Sequence, residues 1–409
     1  MTGSSTPPFH RFAEQFSDIP RSPLATWIYD SDELFERERT EIFGKMWLCI
    51  GRDDQVPKTG DFFVKDIHVH KASVIVVRDR DGKIKAHHNV CKHRGNKVEW
   101  GSSGKCRAFT CKFHGWSYKL DGTLADVPDE ERFFGFDKSE NGLRPVHVDV
   151  WRGFIFVCLA EKPALPLNEF LGEFGQNFAD YPFEAYPTCF TYRAEINCNW
   201  KIVTDAFQEA YHVPHVHGKV LTDYHHDPEL HLLESVSFDK NHATFAMPSA
   251  KEHRATPAEA LGLQHTVNIA AAISHVENAE ESADQPKMWG FVGNRVFPNF
   301  FCDVLDGLYF THEILPISKN RTWYEHRMYF AEPQSAAAVY GQEISKIMLR
   351  DALLEDLSTL EHTQSAMEGR VLDRFQLQDE EIVLRDFYKT IGEITDMDCF
   401  NLETEGGAA

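Results

Sequence analysis

Between Cys91 and Gly115 the chain reads CKHRGNKVEWGSSGKCRAFTCKFHG. One thiol and one imidazole sit together at Cys91/His93, and the pairing returns at Cys111/His114. C-x-H and C-x-x-H each put two metal-binding side chains on a tight turn, and each pair lies beside a glycine, Gly95 or Gly115. The 17 residues Arg94 to Thr110 leave enough chain for a hairpin that brings the two tips together. Unrelated core cysteines and surface histidines would not pair in this way. Structural zinc sites usually set two Cys on a knuckle and two His on a helix, which is a different order. A [2Fe–2S] cluster with two Cys on one iron and two His on the other suits the pattern, because each loop must then reach both irons. Neutral imidazole ligands also remove negative charge and raise the potential above that of an all-cysteine cluster.

Such a cluster moves single electrons and binds no substrate, so chemistry on a substrate needs a second centre. The stretch NWKIVTDAFQEAYHVPHVHGK, residues 199–219, offers one. Ile202, Val203, Ala206, Phe207 and Ala210 recur at helical spacing. The pattern predicts a helix with Asp205, Glu209 and His212 at i, i+4 and i+7 on another face. Pro214 then ends that helix and His217 follows on the turn, so His212 and His217 can converge. His215, His225, His226 and His231 are rivals for the second position, and spacing does not exclude His215. The helical stretch DALLEDLSTLEHTQSAMEG, residues 351–369, offers carboxylates in Asp351, Glu355 and Asp356. Two His and one carboxylate leave open positions on Fe(II) for O2 and substrate. Helical geometry does not decide between adjacent acids.

These residues need elements to hold them. SDELFERERTEIFGKM (31–46) begins with Ser/Asp cap candidates and reads as a helix. Asp81-Gly82 and Asp121-Gly122, each flanked by apolar stretches, signal type I′ hairpins. GFIFVCL (153–159) reads as a buried strand, and 163–187 is an aromatic, Pro-containing connection. Longer strands follow at 189–195, 235–247, 306–317 and 321–330, and a long helix at about 335–369. The polar, Ala-rich stretch 250–287 reads as a lid or insert. At 409 residues the chain exceeds one core. The reading is α+β: an N-terminal segment and helix (1–46), an all-β cluster domain (47–162), and a second domain (163–409) with helices packed on an antiparallel sheet.

Composition narrows the function classes. A formal net charge of −21 argues against nucleic acid as a partner. No apolar run approaches a membrane span. The first 20 residues lack the basic-then-apolar order of a signal peptide, so a cytoplasmic protein is expected. Nine irregularly spread cysteines suggest thiols and ligands, not a disulfide framework. From Cys91 to Lys119 there are seven basic residues and one acid, which reads as a docking patch for an acidic electron donor.

C-x-H-R-G followed by C-x-x-H-G-W resembles the Rieske domain of non-haem iron ring-hydroxylating oxygenases, in their large α subunits. Respiratory Rieske proteins carry an extra Cys in each loop, where this chain has Asn96 and Phe113. The segment N-W-K…E-x-Y-H-x4-H resembles the family's iron-binding stretch and favours His217 over its rivals. E-D-x4-E-x2-Q, matched by Glu355, Asp356, Glu361 and Gln364, maps the carboxylate ligand to Asp356. VFPNFF (296–301) resembles the F-P-N segment of the catalytic domain. The likeness runs from about Trp27 to Met367. It departs where Glu209 replaces the commoner Asp and Thr204-Asp205 replaces Glu-Asn, which sets the chain apart from the best-known naphthalene and biphenyl enzymes.

The resemblance implies one [2Fe–2S] cluster on Cys91, His93, Cys111 and His114 and one Fe(II) on His212, His217 and Asp356, in a helix-grip-like catalytic domain. It implies electrons from NAD(P)H through a separate reductase or ferredoxin, since the chain has no G-x-G-x-x-G site. It implies O2-dependent hydroxylation of an aromatic substrate, with ring dihydroxylation to a cis-diol favoured over monooxygenation or demethylation, and places the protein in aromatic hydrocarbon catabolism. A homotrimer is implied, with or without a β subunit. Glu209 would then bridge a cluster histidine of one subunit to His212 or His217 of the next. Asp205 would stand behind the iron ligands.

Overall fold

The structure, a computed structural model, describes residues 10–217, 232–248, 289–305 and 307–402. The chain forms two compact units, residues 39–170 and residues 1–38 with 171–409. The N-terminal segment set apart at 1–46 is therefore divided: up to Glu38 it belongs to the larger unit. The expected helix over 31–46 begins as read, with Ser31 Oγ accepting from Leu34 N–H at 3.1 Å. It is α-helical only over Asp32–Arg37, and Glu38–Phe43 is a π-helical stretch. Glu38 is there fully buried against Lys201 Nζ (2.7 Å) and Trp200 Nε1 (2.8 Å), so tertiary pairing overrides local propensity.

The smaller unit is built of β-strands. Its seven-stranded antiparallel sheet runs, edge to edge, Trp47–Arg52, Phe154–Cys158, Pro145–Trp151, Ile84–His88, Ala72–Arg78, Asp61–Ile67 and Ser103–Lys105. A three-stranded sheet of Phe109–Thr110, Ser117–Tyr118 and Leu124–Asp126 carries the second Cys–His loop. Both Asp-Gly turns exist but are not type I′, which needs positive φ at both central residues. Only Gly82 (φ +79°) and Gly122 (φ +88°) are left-handed. Gly82 N–H bonds Asp79 O, and Asp79 N–H bonds Lys83 O. Gly122 and Lys119 repeat that pair of bonds with Lys119 O and Thr123 O. Each is a type I turn followed by a glycine bulge, a longer loop that the same two letters serve equally well.

The larger unit has a second seven-stranded antiparallel sheet, ordered Thr188–Ile196, Arg321–Phe330, Leu308–Ser318, Phe300–Leu305, Trp289–Val296, His242–Pro248 and Ser235–Asp239. The Trp200–Asp205 helix and the 33-residue helix Ala336–Glu368 pack with it, and Ser335 Oγ caps the long helix at Ala338 N–H. Among the described residues no helix is long and apolar enough to cross a membrane. The stretch 250–287, read as a lid or insert, lies outside the described residues.

Candidate metal centres

The two Cys–His loops share one backbone design. Cys91 N–H bonds Asn96 O (2.8 Å) and Gly95 N–H returns to Cys91 O (3.0 Å). Cys111 N–H bonds Trp116 O (2.9 Å) and Gly115 N–H returns to Cys111 O (3.0 Å). Gly95 and Gly115 close these turns at φ +75° and +77°, where a Cβ would be strained. The thiols are buried in a core with Phe62, Phe109, Trp116, Tyr118 and Leu120. Tyr118 Oη lies 3.1 Å from Cys91 Sγ and accepts from Lys92 N–H at 3.0 Å. The His93 and His114 rings meet edge to face at 4.5 Å, and His93 lies parallel to Trp116 at 5.0 Å. Loss of water, helped by His114 and Arg94, pushes the His93 pKa down. Its Nδ1 is buried without a hydrogen-bond partner. An imidazole nitrogen stripped of water is costly unless something else binds it, so a metal fits here.

The second constellation converges. The donor atoms of His212, His217 and Asp356 all lie within 4.8 Å of one another. Asp356 Oδ1 is 2.9 Å from His217 Nε2 and 3.4 Å from His212 Nε2. Each histidine is also held from behind. Glu209 pairs with His212 Nδ1, and Glu355 Oε2 lies 3.0 Å from His217 Nδ1. A carboxylate on Nδ1 fixes the tautomer that turns a lone pair on Nε2 towards the centre. Burial opposes charge on His212, but Asp356 and Glu209 outweigh it and push its pKa up to about 10. Burial likewise opposes charge on His217, and Asp356 and Glu355 raise it. Asp356 is lowered despite burial, by His212 and then His217. Three carboxylates around two imidazoles call for positive charge, which a metal supplies in place of protons, and the donor set fits a first-row divalent ion with open positions.

The local geometry differs from the expected helix. The helix stops at Asp205, and Pro214 begins the short helix Val213–Val216 instead of ending a long one. Proline suits a first turn, where its missing N–H has no partner to lose. The i, i+4, i+7 register is therefore absent. Glu209 meets His212 because its carboxylate folds back onto the N–H groups of Tyr211 and His212. Asp205 is not behind the histidines. It accepts from Tyr29 and Tyr388 hydroxyls, both at 2.7 Å, and its burial pushes its pKa up to about 7. His215 is exposed; His225, His226 and His231 lie outside the described residues.

All four residues of the E-D-x4-E-x2-Q pattern have partners. Glu355 holds His217, and Asp356 faces both histidines. Glu361 accepts from Asn197 N–H, and Gln364 Oε1 from Asn199 N–H, so the long helix pins the start of the helix that leads to His212. Asp351 pairs with Arg350 instead. Within VFPNFF, Phe297 packs on Phe387, while Phe301 stands 6.4 Å from Phe207 and 6.0 Å from His312. The basic stretch keeps part of its charge: Lys97 pairs with Asp66 and Lys105 with Asp61. The role of Glu355 was hidden behind its neighbour in the sequence. So was a buried group of Asp303, His312, Tyr324 and His326, which only their alternation along strands could have hinted at.

Comparison with known proteins adds two family matches. Residues 183–396 match the ring hydroxylating alpha subunit (catalytic domain), and residues 46–146 match the Rieske [2Fe-2S] domain. The glycine betaine monooxygenase oxygenase subunit of Pseudomonas aeruginosa is 34% identical over 193 residues, 47% of this chain and 44% of that protein. The biphenyl 2,3-dioxygenase subunit alpha of Rhodococcus jostii is 34% identical over 194 residues, 45% of this chain and 41% of that protein. The chain thus spans about half the length of the curated relatives it matches. A quaternary ammonium Rieske monooxygenase, described with inter-subunit electron transfer, shares the fold at a TM-score of 0.74 and 20% identity, covering 93% of this chain and 98% of its own.

Proposed function

The chain belongs to the ring-hydroxylating α-subunit family, and on that premise we propose that it is the terminal oxygenase component of a multicomponent system acting on a small organic substrate. The convergence of His212, His217 and Asp356 in a chain with a Rieske domain carries the reading. Cys91, His93, Cys111 and His114 hold the [2Fe–2S] cluster, and His212, His217 and Asp356 hold one Fe(II). Bound there, the cluster supplies single electrons and the iron, with open positions, supplies oxygen chemistry.

The chain's own groups do the rest. Glu209 and Glu355 keep a proton on each Nδ1 and leave each Nε2 free to coordinate. Phe207, shortly before His212 in the chain, pairs with Phe301, and these rings help exclude water. Electrons come from NAD(P)H through a reductase, with or without a ferredoxin, in the cytoplasm. The active form is a homotrimer, with or without a β subunit, in which Glu209 links His93 or His114 of one subunit to His212 of the next.

Two readings of the reaction follow. Ring dihydroxylation fits the biphenyl enzyme among the relatives, and monooxygenation fits the glycine betaine enzyme. Turnover with a surrogate reductase and labelled O2 separates them: two labelled oxygens in a cis-diol, or one in an alcohol. Anaerobically purified protein should hold about three irons per chain. About two irons and no oxygenated product would make the chain an electron carrier and sink the oxygenase reading.

A further inference from the structure

One face of the catalytic sheet carries an unusual set of side chains. In the strand register His312 is opposite His326 and Phe301, Asp303 is opposite Phe310, and Tyr324 is opposite Ile314. Even offsets put Asp303, His312, Tyr324 and His326 on the same side. The turn after the Trp200–Asp205 helix and the long helix cover that side. Phe207 stacks on His312 at 4.3 Å and on Tyr324 at 5.6 Å, and Leu349 of the long helix packs with Phe310 and Met328. The covering elements also carry the metal centre: the long helix bears Asp356, and Phe207 shortly precedes His212 in the chain.

Three of the four polar groups satisfy one another. Asp303 Oδ2 is 3.2 Å from His312 Nε2, and Asp303 Oδ1 accepts from Asn294 N–H at 3.1 Å. His312 Nδ1 is 2.7 Å from Tyr324 Oη. His326 is the remainder. Its Nδ1 makes a 3.4 Å contact with His312 Nδ1, and its Nε2 is buried without a partner. The residue is 1% exposed. A core position flanked by Phe310 (5.1 Å) and Tyr192 (6.5 Å) would be cheaper to fill with Leu or Phe.

We propose that His326 anchors the substrate through Nε2, and that the substrate carries a hydrogen-bonding group, a carboxylate, carbonyl or hydroxyl, on an apolar frame. The inference rests on the oxygenase reading and deepens it: a bare hydrocarbon would leave this nitrogen unpaired. Asp303, His312 and Tyr324 position the imidazole, and the Phe310 and Tyr192 rings that flank it would meet the frame. The reacting carbon then lies on the Tyr324 side, towards Asp356.

The test is equilibrium dialysis of the iron-loaded enzyme with matched probes: benzoate and benzyl alcohol against toluene, and cyclohexanecarboxylate against methylcyclohexane. In at least one pair the polar member should bind about tenfold or more tightly, the scale of one good hydrogen bond. His326→Leu should erase that preference and leave hydrocarbon binding within about threefold, while His326→Gln keeps most of it. His326→Asn, polar but too short, should lose it as well and serves if the Leu variant does not fold. The inference is overturned if no polar member outbinds its hydrocarbon partner, or if a folded, iron-loaded Leu or Asn variant keeps the preference. Binding is read without turnover, so this outcome is separate from failure of the oxygenase reading, which shows as missing iron and missing product.

Discussion

In the smaller unit, two loops of one backbone design present His93 and His114 among rings, and loss of water with a neighbouring Arg94 lowers the His93 pKa. In the larger unit, His212 and His217 are drawn from one short segment, meet an acid from a helix far along the chain, and are surrounded by carboxylates that raise their pKa values. The same side chain is tuned in opposite directions. An anionic cluster of thiolates and sulfides is served by neutral imidazoles near basic groups. A bare divalent cation is served by imidazoles whose back nitrogens face acids.

The sharpest way to break this comparison is to remove one member from each centre. Asp356→Ala should strip the mononuclear iron and lower turnover by at least about 10³-fold, with the cluster's visible spectrum intact. Cys111→Ala should do the reverse, bleaching the spectrum while metal analysis still finds the other iron. If Asp356→Ala bleached the cluster, the two centres would not be independent.

The next test separates the two carboxylates behind the histidines. Glu209→Gln should keep both centres loaded yet slow cluster-to-iron transfer in single turnover by about 10²-fold, since this acid is proposed to link subunits. Glu355→Gln should weaken iron binding by about 10–100-fold with little change in transfer per loaded site. Equal effects of the two variants on transfer would remove the special role given to Glu209.

How far the sequence could be read follows the same division. Cys91, His93, Cys111 and His114 lie within one hairpin-bearing stretch, so local spacing and two glycines express their geometry directly. The caps at Ser31 and Ser335 are local too, and were legible. At the other centre, adjacent acids on a helix point about 100° apart, and only packing decides which one faces the histidines. Only the resemblance singles out Asp356, and Glu355, a rival by spacing, instead holds His217. The Trp200 helix ends sooner than its apolar stripe suggests, because a stripe cannot show that Asp205 is claimed by two distant tyrosines. The turns at Gly82 and Gly122 differ from the expected type I′ because Asp-Gly suits more than one hairpin loop.

A pH titration reads the opposite tuning on protein stripped of its mononuclear iron by chelation. The His212 pKa is about 10 when folded, against about 6.5 unfolded. Its stabilisation is fully present below about pH 6.5 and is lost as pH rises through about 10. Asp356 is lowered, so its share is present above about pH 3.9 and lost on acidification below that. The stripped catalytic unit should then melt highest at about pH 4–6.5 and several degrees lower at pH 10. Iron affinity should move the other way and tighten with rising pH, because the metal competes with protons for Nε2. A melting temperature that stays flat from pH 6 to 10 in the stripped protein would contradict the carboxylate tuning.

The smallest expected effect compares the two cluster loops with each other. Gly95 and Gly115 have the same left-handed φ, so alanine at either should cost about 1 kcal/mol or slightly more through backbone strain. Their surroundings differ. A Cβ at Gly95 meets open space, whereas one at Gly115 lies 3.2 Å from Pro128 Cγ, a ring carbon on a constrained residue with little freedom to give way. Gly115→Ala should therefore lower the temperature of cluster loss by a few degrees more than Gly95→Ala, followed by the visible absorbance. Equal losses would mean that backbone conformation alone decides, and that the second loop yields around Pro128 as readily as the first yields into solvent.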